Sequence, residues 1–122
     1  MEGQGFSVVD RIKAFGFAIT GLTHAIKTQH ALWFHLSCAT AVITLGLFLH
    51  VSREDWRWLA LAITLVIATE TMNTAVEFLA DAFTQEYHDL IGHAKDIAAG
   101  AVLVAAMGAI AIALLTLWPY IF

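Results

Sequence analysis

The organisation of the chain follows from Glu70-Thr71-Met72-Asn73-Thr74-Ala75-Val76-Glu77, which continues directly from the apolar run 58–69. At about 100° per residue, its polar side chains and the carboxylate one turn further on share one helical stripe, less than about a quarter-turn wide. This stripe, here called the acidic seam, consists of Glu70, Asn73, Glu77 and Asp81. An ionisable residue within a membrane span costs roughly 2.5–3.5 kcal/mol on insertion scales, so such residues usually face a bundle interior and are functional. The alternative is a helix that leaves the bilayer with a solvated acidic end, which suits Asp81 better than Glu70.

The composition places the chain in a membrane. Of its 122 residues 60% are hydrophobic and 13% are charged, against roughly 45–50% and 25% in soluble domains. The length predicts a single domain over 1–122. A net charge of −4, with six Lys and Arg in total, argues against a nucleic-acid partner. One cysteine, Cys38, excludes an internal disulfide.

Three segments are long and apolar enough to cross about 30 Å of hydrocarbon, and we predict transmembrane helices over 31–51, 57–83 and 97–122. A tight polar turn, 52–55, and a polar connection, 84–96, separate them. Within residues 6–29 apolar side chains recur at steps of three and four, which predicts an amphipathic helix on the membrane surface. The alternative for that segment is a soluble amphipathic helix packed on a partner. The predicted fold class is therefore an all-α integral membrane protein with an N-terminal amphipathic surface helix and three transmembrane helices.

The basic residues predict the orientation. Four of them, Arg11, Lys13, Lys27 and Lys95, fall on one side of a three-span chain, and two, Arg53 and Arg57, on the other. Basic loops stay in the cytoplasm, so the N-terminus and the 84–96 loop are predicted to be cytoplasmic. Since three helices shield a charged stripe poorly, we expect a homo-oligomer that buries the seam between protomers.

The depths of the two glutamates suggest different tasks. Measured from Trp56 at 1.5 Å per residue, Glu70 lies ~21 Å and Glu77 ~31 Å along the helix. Glu70 can act as a general base towards a lipid hydroxyl, and Glu77 can bind the Mg²⁺ of a water-soluble cosubstrate. Asn73 between them offers a donor and an acceptor. Lys95, at the mouth of the third span, is a positive charge that can balance phosphate.

Three motifs in this order resemble the prokaryotic diacylglycerol kinase family, which includes the undecaprenol kinases. They are Glu70-x-x-Asn73-x-Ala75-x-Glu77-x-x-x-Asp81, then Glu86-Tyr87-His88-x-Leu90, then Ala94-Lys95-Asp96. The resemblance covers most of the chain and is strongest over 70–104. It implies a small lipid kinase of the bacterial inner membrane that works as a homotrimer with active sites shared between protomers. The implied reaction transfers the γ-phosphate of MgATP to a lipid hydroxyl, giving phosphatidic acid from diacylglycerol or undecaprenyl phosphate from undecaprenol.

The resemblance also implies roles for single residues. Glu70 matches the catalytic base, Asn73, Tyr87, His88, Lys95 and Asp96 match nucleotide contacts, and Glu77 and Gln29 match the metal site. Gln29 is a departure, because family members usually carry a glutamate there. An amide still offers an oxygen but no negative charge, so a second ion should bind more weakly.

Two other functions fit the intramembrane carboxylate. One is a small proton-coupled transporter in which Glu70 alternates between a proton and a cation. The other is a non-catalytic assembly subunit, in which neutralising Glu70 has little effect. The continuation of polar residues to Lys95 and Asp96 favours the kinase, since a transporter does not require it.

Overall fold

The protein is all-helical in the computed structural model, which describes residues 5–122. Its elements are α1 (Val8–Thr28), α2 (His30–Phe48), α3 (Arg53–Phe83) and α4 (Asp89–Ile121). Helices α2, α3 and α4 are long and apolar enough to cross a membrane. This confirms the prediction of an all-helical chain with three helices suited to spanning a membrane.

Side-chain caps start α3 and α4 earlier than the apolar pattern suggests. Ser52 accepts a hydrogen bond from the Asp55 N–H at 3.1 Å, so residues 53–55, expected in a turn, form the first turn of α3. His88 Nδ1 accepts from the Leu90 N–H at 3.2 Å, and α4 therefore begins at Asp89, inside the expected 84–96 connection. Polar residues at a helix start satisfy its free N–H groups, and hydropathy alone does not distinguish them from a loop.

Helix α3 is the centre of the fold. Helix α4 packs along it, α2 packs on another part of it, and α1 touches both α2 and α3. The α2–α3 corner is tight because Gly46 lies directly under the Trp56 ring. A Cβ on Gly46 would lie 2.7 Å from Trp56 Cη2, closer than real Cβ contacts, so any larger residue here forces the Trp56 ring to shift.

The same corner is joined to the last turns of α4. The Tyr120 hydroxyl donates to the Asp55 carboxylate and accepts from the Ser52 N–H at 3.0 Å. Beneath this contact a small apolar core is formed by Val51, Leu59 and Leu117. We call this part of the molecule, comprising Gly46, Val51, Ser52, Asp55, Trp56, Leu59, Leu117 and Tyr120, the closed end.

Candidate active site

Helix α3 carries the acidic seam from the interior to the surface. Glu70 is 5% exposed and Asn73 9% exposed, whereas Glu77 is half-buried and Asp81 is exposed. A single chain thus covers the inner half of the seam. The expectation that three helices shield it poorly is wrong for Glu70 and Asn73, because α3 has neighbours on more than one side, and it holds only for the outer half.

The inner end of the seam meets a residue that the sequence did not single out. His35 Nε2, on α2, lies 3.4 Å from Glu70 Oε2, and both side chains are largely buried. Spacing along the chain does not reveal such a pair, since its members are on different helices. The one hint in the sequence is that His35 lies inside the apolar run 31–51, more than one helical turn after the polar residues 27–30.

Asn73 presents an unsatisfied polar atom. Its side-chain oxygen is buried and has no hydrogen-bond partner within residues 5–122. A buried acceptor without a partner costs roughly 1–3 kcal/mol, so such an atom in a native fold calls for an explanation. One helical turn separates it from Glu70 on one side and Glu77 on the other. The oxygen is therefore suited to bind a donor or a cation that the protein receives from outside.

The outer end of the seam reaches α4. Lys95 Nζ donates to Asp81 Oδ1 at 3.2 Å, and both side chains are well exposed to solvent. Asp96 and His88 are exposed, and the Tyr87 ring is exposed next to Gly92. The structure thus brings Lys95 to the seam, while it places Tyr87, His88 and Asp96 on the surface at the start of α4.

Gln29 lies at the junction of α1 and α2, where it ends one helix and precedes the other. Its amide N–H donates to Thr28 Oγ1 at 3.2 Å. One turn earlier, the His24 ring stands edge-on to the Phe78 ring with centroids 5.7 Å apart. The C-terminal part of α1 therefore rests on α3 at Phe78.

The donor set fits Mg²⁺ that arrives with a nucleotide. In the described chain no cluster of three or more His, Cys, Asp or Glu residues is able to hold a metal by itself. Mg²⁺ in phosphotransferases is usually held by one or two carboxylates together with substrate phosphates and waters, not by an all-protein cage. Glu77 supplies a half-buried carboxylate and Asn73 an unpartnered amide oxygen. Both are hard oxygen ligands of the kind this ion prefers.

An apolar cavity of about 230 Å³ lies between α2, α3 and α4 next to the inner end of the seam. Its lining includes Phe34, His35, Leu59, Val66 and Ile110. His35 is the residue that belongs both to this lining and to the contact with Glu70. Through His35, the apolar cavity is thus connected to the buried carboxylate of Glu70.

A buried carboxylate on a helix long and apolar enough to span a membrane marks a functional site without specifying the function. The family model described as prokaryotic diacylglycerol kinase matches residues 16–117. The chain belongs to the prokaryotic diacylglycerol kinase family, which makes it a phosphotransferase of the lipid kinase class.

Relatives with both lipid names occur. A diacylglycerol kinase of Synechocystis is 41% identical to this chain, and the match covers 80% of this chain and 56% of that relative's length. An undecaprenol kinase of Bacillus subtilis is 36% identical over 88% of this chain and 87% of its own length. A diacylglycerol kinase of Escherichia coli is 30% identical over 89% of each chain.

Proposed function

We propose that this protein transfers the γ-phosphate of MgATP to the hydroxyl group of a membrane lipid, either diacylglycerol or undecaprenol. The observation that carries the proposal is the buried Glu70 on a membrane-spanning helix, one turn from the unpartnered oxygen of Asn73. The names of the relatives supply the two candidate lipids. Their identities to this chain are similar, so they do not separate the two.

Glu70 acts as the general base in this proposal. Its carboxylate accepts the proton of the lipid hydroxyl while the hydroxyl oxygen forms a bond to the γ-phosphorus. The bond between the γ-phosphorus and the β–γ bridging oxygen breaks, and ADP leaves. The proton passes from Glu70 to water before the next turnover. Phosphoryl transfer requires in-line positioning and charge neutralisation above all, and a base at membrane depth provides the first of these for a lipid acceptor.

The outer seam and the start of α4 bind the nucleotide. Lys95 balances phosphate charge, and its present partner Asp81, 3.2 Å away, holds the ammonium group at the seam. Asp96, Tyr87 and His88 contact the rest of the nucleotide. Glu77, the Asn73 oxygen and Gln29 are the residues that would hold Mg²⁺, which neutralises phosphate charge when bound.

The assembly and its placement complete the proposal. The whole chain, 1–122, is one lipid-kinase domain that forms a homotrimer with active sites shared between protomers. The exposure of Glu77 and Asp81 relative to Glu70 supports this, since a neighbouring protomer can complete the open outer half of the seam. We place the protein in the bacterial inner membrane, with α1 on the cytoplasmic surface and the 84–96 segment in the cytoplasm, where ATP is available.

The test is phosphate transfer by detergent-purified protein in mixed micelles, with diacylglycerol and undecaprenol supplied in parallel. We expect Glu70→Gln to lower turnover by about 100-fold or more, the contribution of a general base, while ATP binding stays measurable. Glu54→Gln, which neutralises an exposed carboxylate in the first turn of α3, is the control and should retain activity.

Full activity of the Glu70→Gln protein would remove Glu70 from the role of base. Uptake of a solute into vesicles, driven by a pH gradient and lost in Glu70→Gln, would instead favour a proton-coupled transporter. That alternative is not favoured, because the matched relatives are kinases.

A further inference from the structure

Within residues 5–122, the Glu70 carboxylate has one ion-pair contact. His35 Nε2 lies 3.4 Å from Oε2. The hydroxyl of Thr74, one turn further along α3, is used elsewhere, because it donates to the Glu70 backbone oxygen at 3.1 Å. Among the described residues, the charged or titratable partner of the carboxylate therefore comes from α2.

A buried carboxylate needs such a contact. Removing a charge from water costs several kcal/mol unless a partner donates to it or opposes its charge. Histidine serves in either protonation state, since Nε2–H donates in the Nε2–H tautomer of the neutral ring and also when the ring is charged. At 3.4 Å the separation is slightly longer than a hydrogen bond, and contacts of catalytic groups often shorten once substrate is bound.

The surroundings of His35 restrict where its ring can point. The ring stands edge-on to Phe34 with centroids 5.5 Å apart, and it forms part of the wall of the apolar cavity. An imidazole in apolar surroundings is most stable with its polar edge directed at a polar group. The His35 ring therefore approaches Glu70 from the α2 side and lies next to Oε2. This leaves Oε1 for another partner.

We propose that His35 is a positioning residue that holds the Glu70 carboxylate in one rotamer, with Oε1 directed at the lipid hydroxyl. This inference rests on the proposed function of Glu70 as the base. His35 neither accepts the substrate proton nor contacts the nucleotide. From α2, His35 acts on the base beside the lipid hydroxyl, which accepts the phosphoryl group, while Lys95 on α4 binds the ATP that donates it.

The experiment compares three variants with the wild type in the mixed-micelle assay, with rates expressed per nucleotide-binding protomer. His35→Leu removes the donor and keeps an apolar side chain in the cavity wall. We expect kcat to fall between about tenfold and hundredfold, as for a misplaced catalytic group, while the KM for ATP changes by less than about twofold. His35→Gln restores an N–H donor and should recover most of the lost kcat. His30→Leu removes an exposed histidine from the first residue of α2 and should leave kcat unchanged.

A double variant separates positioning from a structural role. In a Glu70→Gln background, His35→Leu should cause no further loss of the residual rate, because the carboxylate it positions is already absent. An equal fold-loss in both backgrounds would overturn the inference, and so would equal loss in His35→Leu and His35→Gln. If the leucine variant does not fold, His35→Phe replaces it, since it also lacks a donor and keeps an aromatic ring.

The experiment distinguishes failure of this inference from failure of the proposed function. A wild-type protein that phosphorylates neither lipid refutes the proposed function. Wild-type activity that is lost in Glu70→Gln and unchanged in His35→Leu refutes the role of His35 alone.

Discussion

At the closed end of α3, the Tyr120 hydroxyl donates to Asp55 and accepts from the Ser52 N–H, so these polar groups satisfy one another. About five helical turns beyond Asp55, the buried Asn73 oxygen has no partner within the described residues. Glu77, one turn further on, is only half-buried. Both regions belong to the same pair of helices, α3 and α4. They differ in whether the protein itself supplies the partners of its polar atoms.

This difference separates stability from activity along one helix. Paired groups and close apolar packing stabilise a fold. Unpaired buried groups destabilise it and are retained where a substrate or ion pairs with them during function. Substitutions at the closed end should therefore change stability and leave turnover per folded molecule intact, and substitutions at the seam should do the reverse.

Among the substitutions that compare these two regions, the largest effect is expected at Asn73. Asn73→Leu removes the amide oxygen from the site and should lower phosphate transfer by about 100-fold, equivalent to about 2.7 kcal/mol of barrier. The thermal midpoint in detergent should stay the same or rise, because an unpaired buried acceptor has been removed. Lipid phosphorylation and thermal unfolding of the same preparation provide the two measurements.

Thr74→Val is the matched control for Asn73→Leu. Thr74 is equally buried, but its hydroxyl donates within the helix, so its loss should change activity little. Wild-type turnover in Asn73→Leu would contradict the assignment of this oxygen to the site.

The next effect is expected at Gly46, where an added methyl group would meet the Trp56 ring. Gly46→Ala should lower the free energy of unfolding by about 1–3 kcal/mol through overpacking, offset in part by the better helix propensity of alanine. Activity per folded molecule should not change. Gly16→Ala on α1, where a Cβ meets nothing within 4 Å, should be neutral or stabilising. A loss of turnover in Gly46→Ala at unchanged stability would contradict the prediction that closed-end substitutions affect stability and not activity.

The smallest effect is expected at Gln29. Gln29→Glu adds a negative charge at the α1–α2 junction, and we expect the Mg²⁺ concentration for half-maximal rate to fall by roughly threefold, because carboxylates bind this ion better than amides. Gln85→Glu adds the same charge at the α3–α4 connection and should leave the Mg²⁺ requirement unchanged. An unchanged requirement in Gln29→Glu would place Gln29 outside the metal site.

The limits of the sequence are clearest at the helix ends and at His35. Ser52 and His88 cap α3 and α4, and their neighbours are polar, so an apolar pattern places the helix starts too late. His35 meets Glu70 across two helices, and no periodicity within α2 contains that information. The same holds for Tyr120, whose partners Asp55 and Ser52 lie more than sixty residues away along the chain.

Three properties can be predicted from the sequence alone: the chain has three apolar helices, one of them carries Glu70, Asn73 and Glu77 on a single stripe, and its motifs are those of a lipid kinase family. These properties depend on composition and on the helical repeat, which are local. Only the tertiary structure decided that Glu70 is covered within one chain, that His35 is its partner, and that the Asn73 oxygen has none among the described residues. Burial and pairing depend on which faces of α2, α3 and α4 pack together, and the packing of helices is not encoded in the spacing along any one of them.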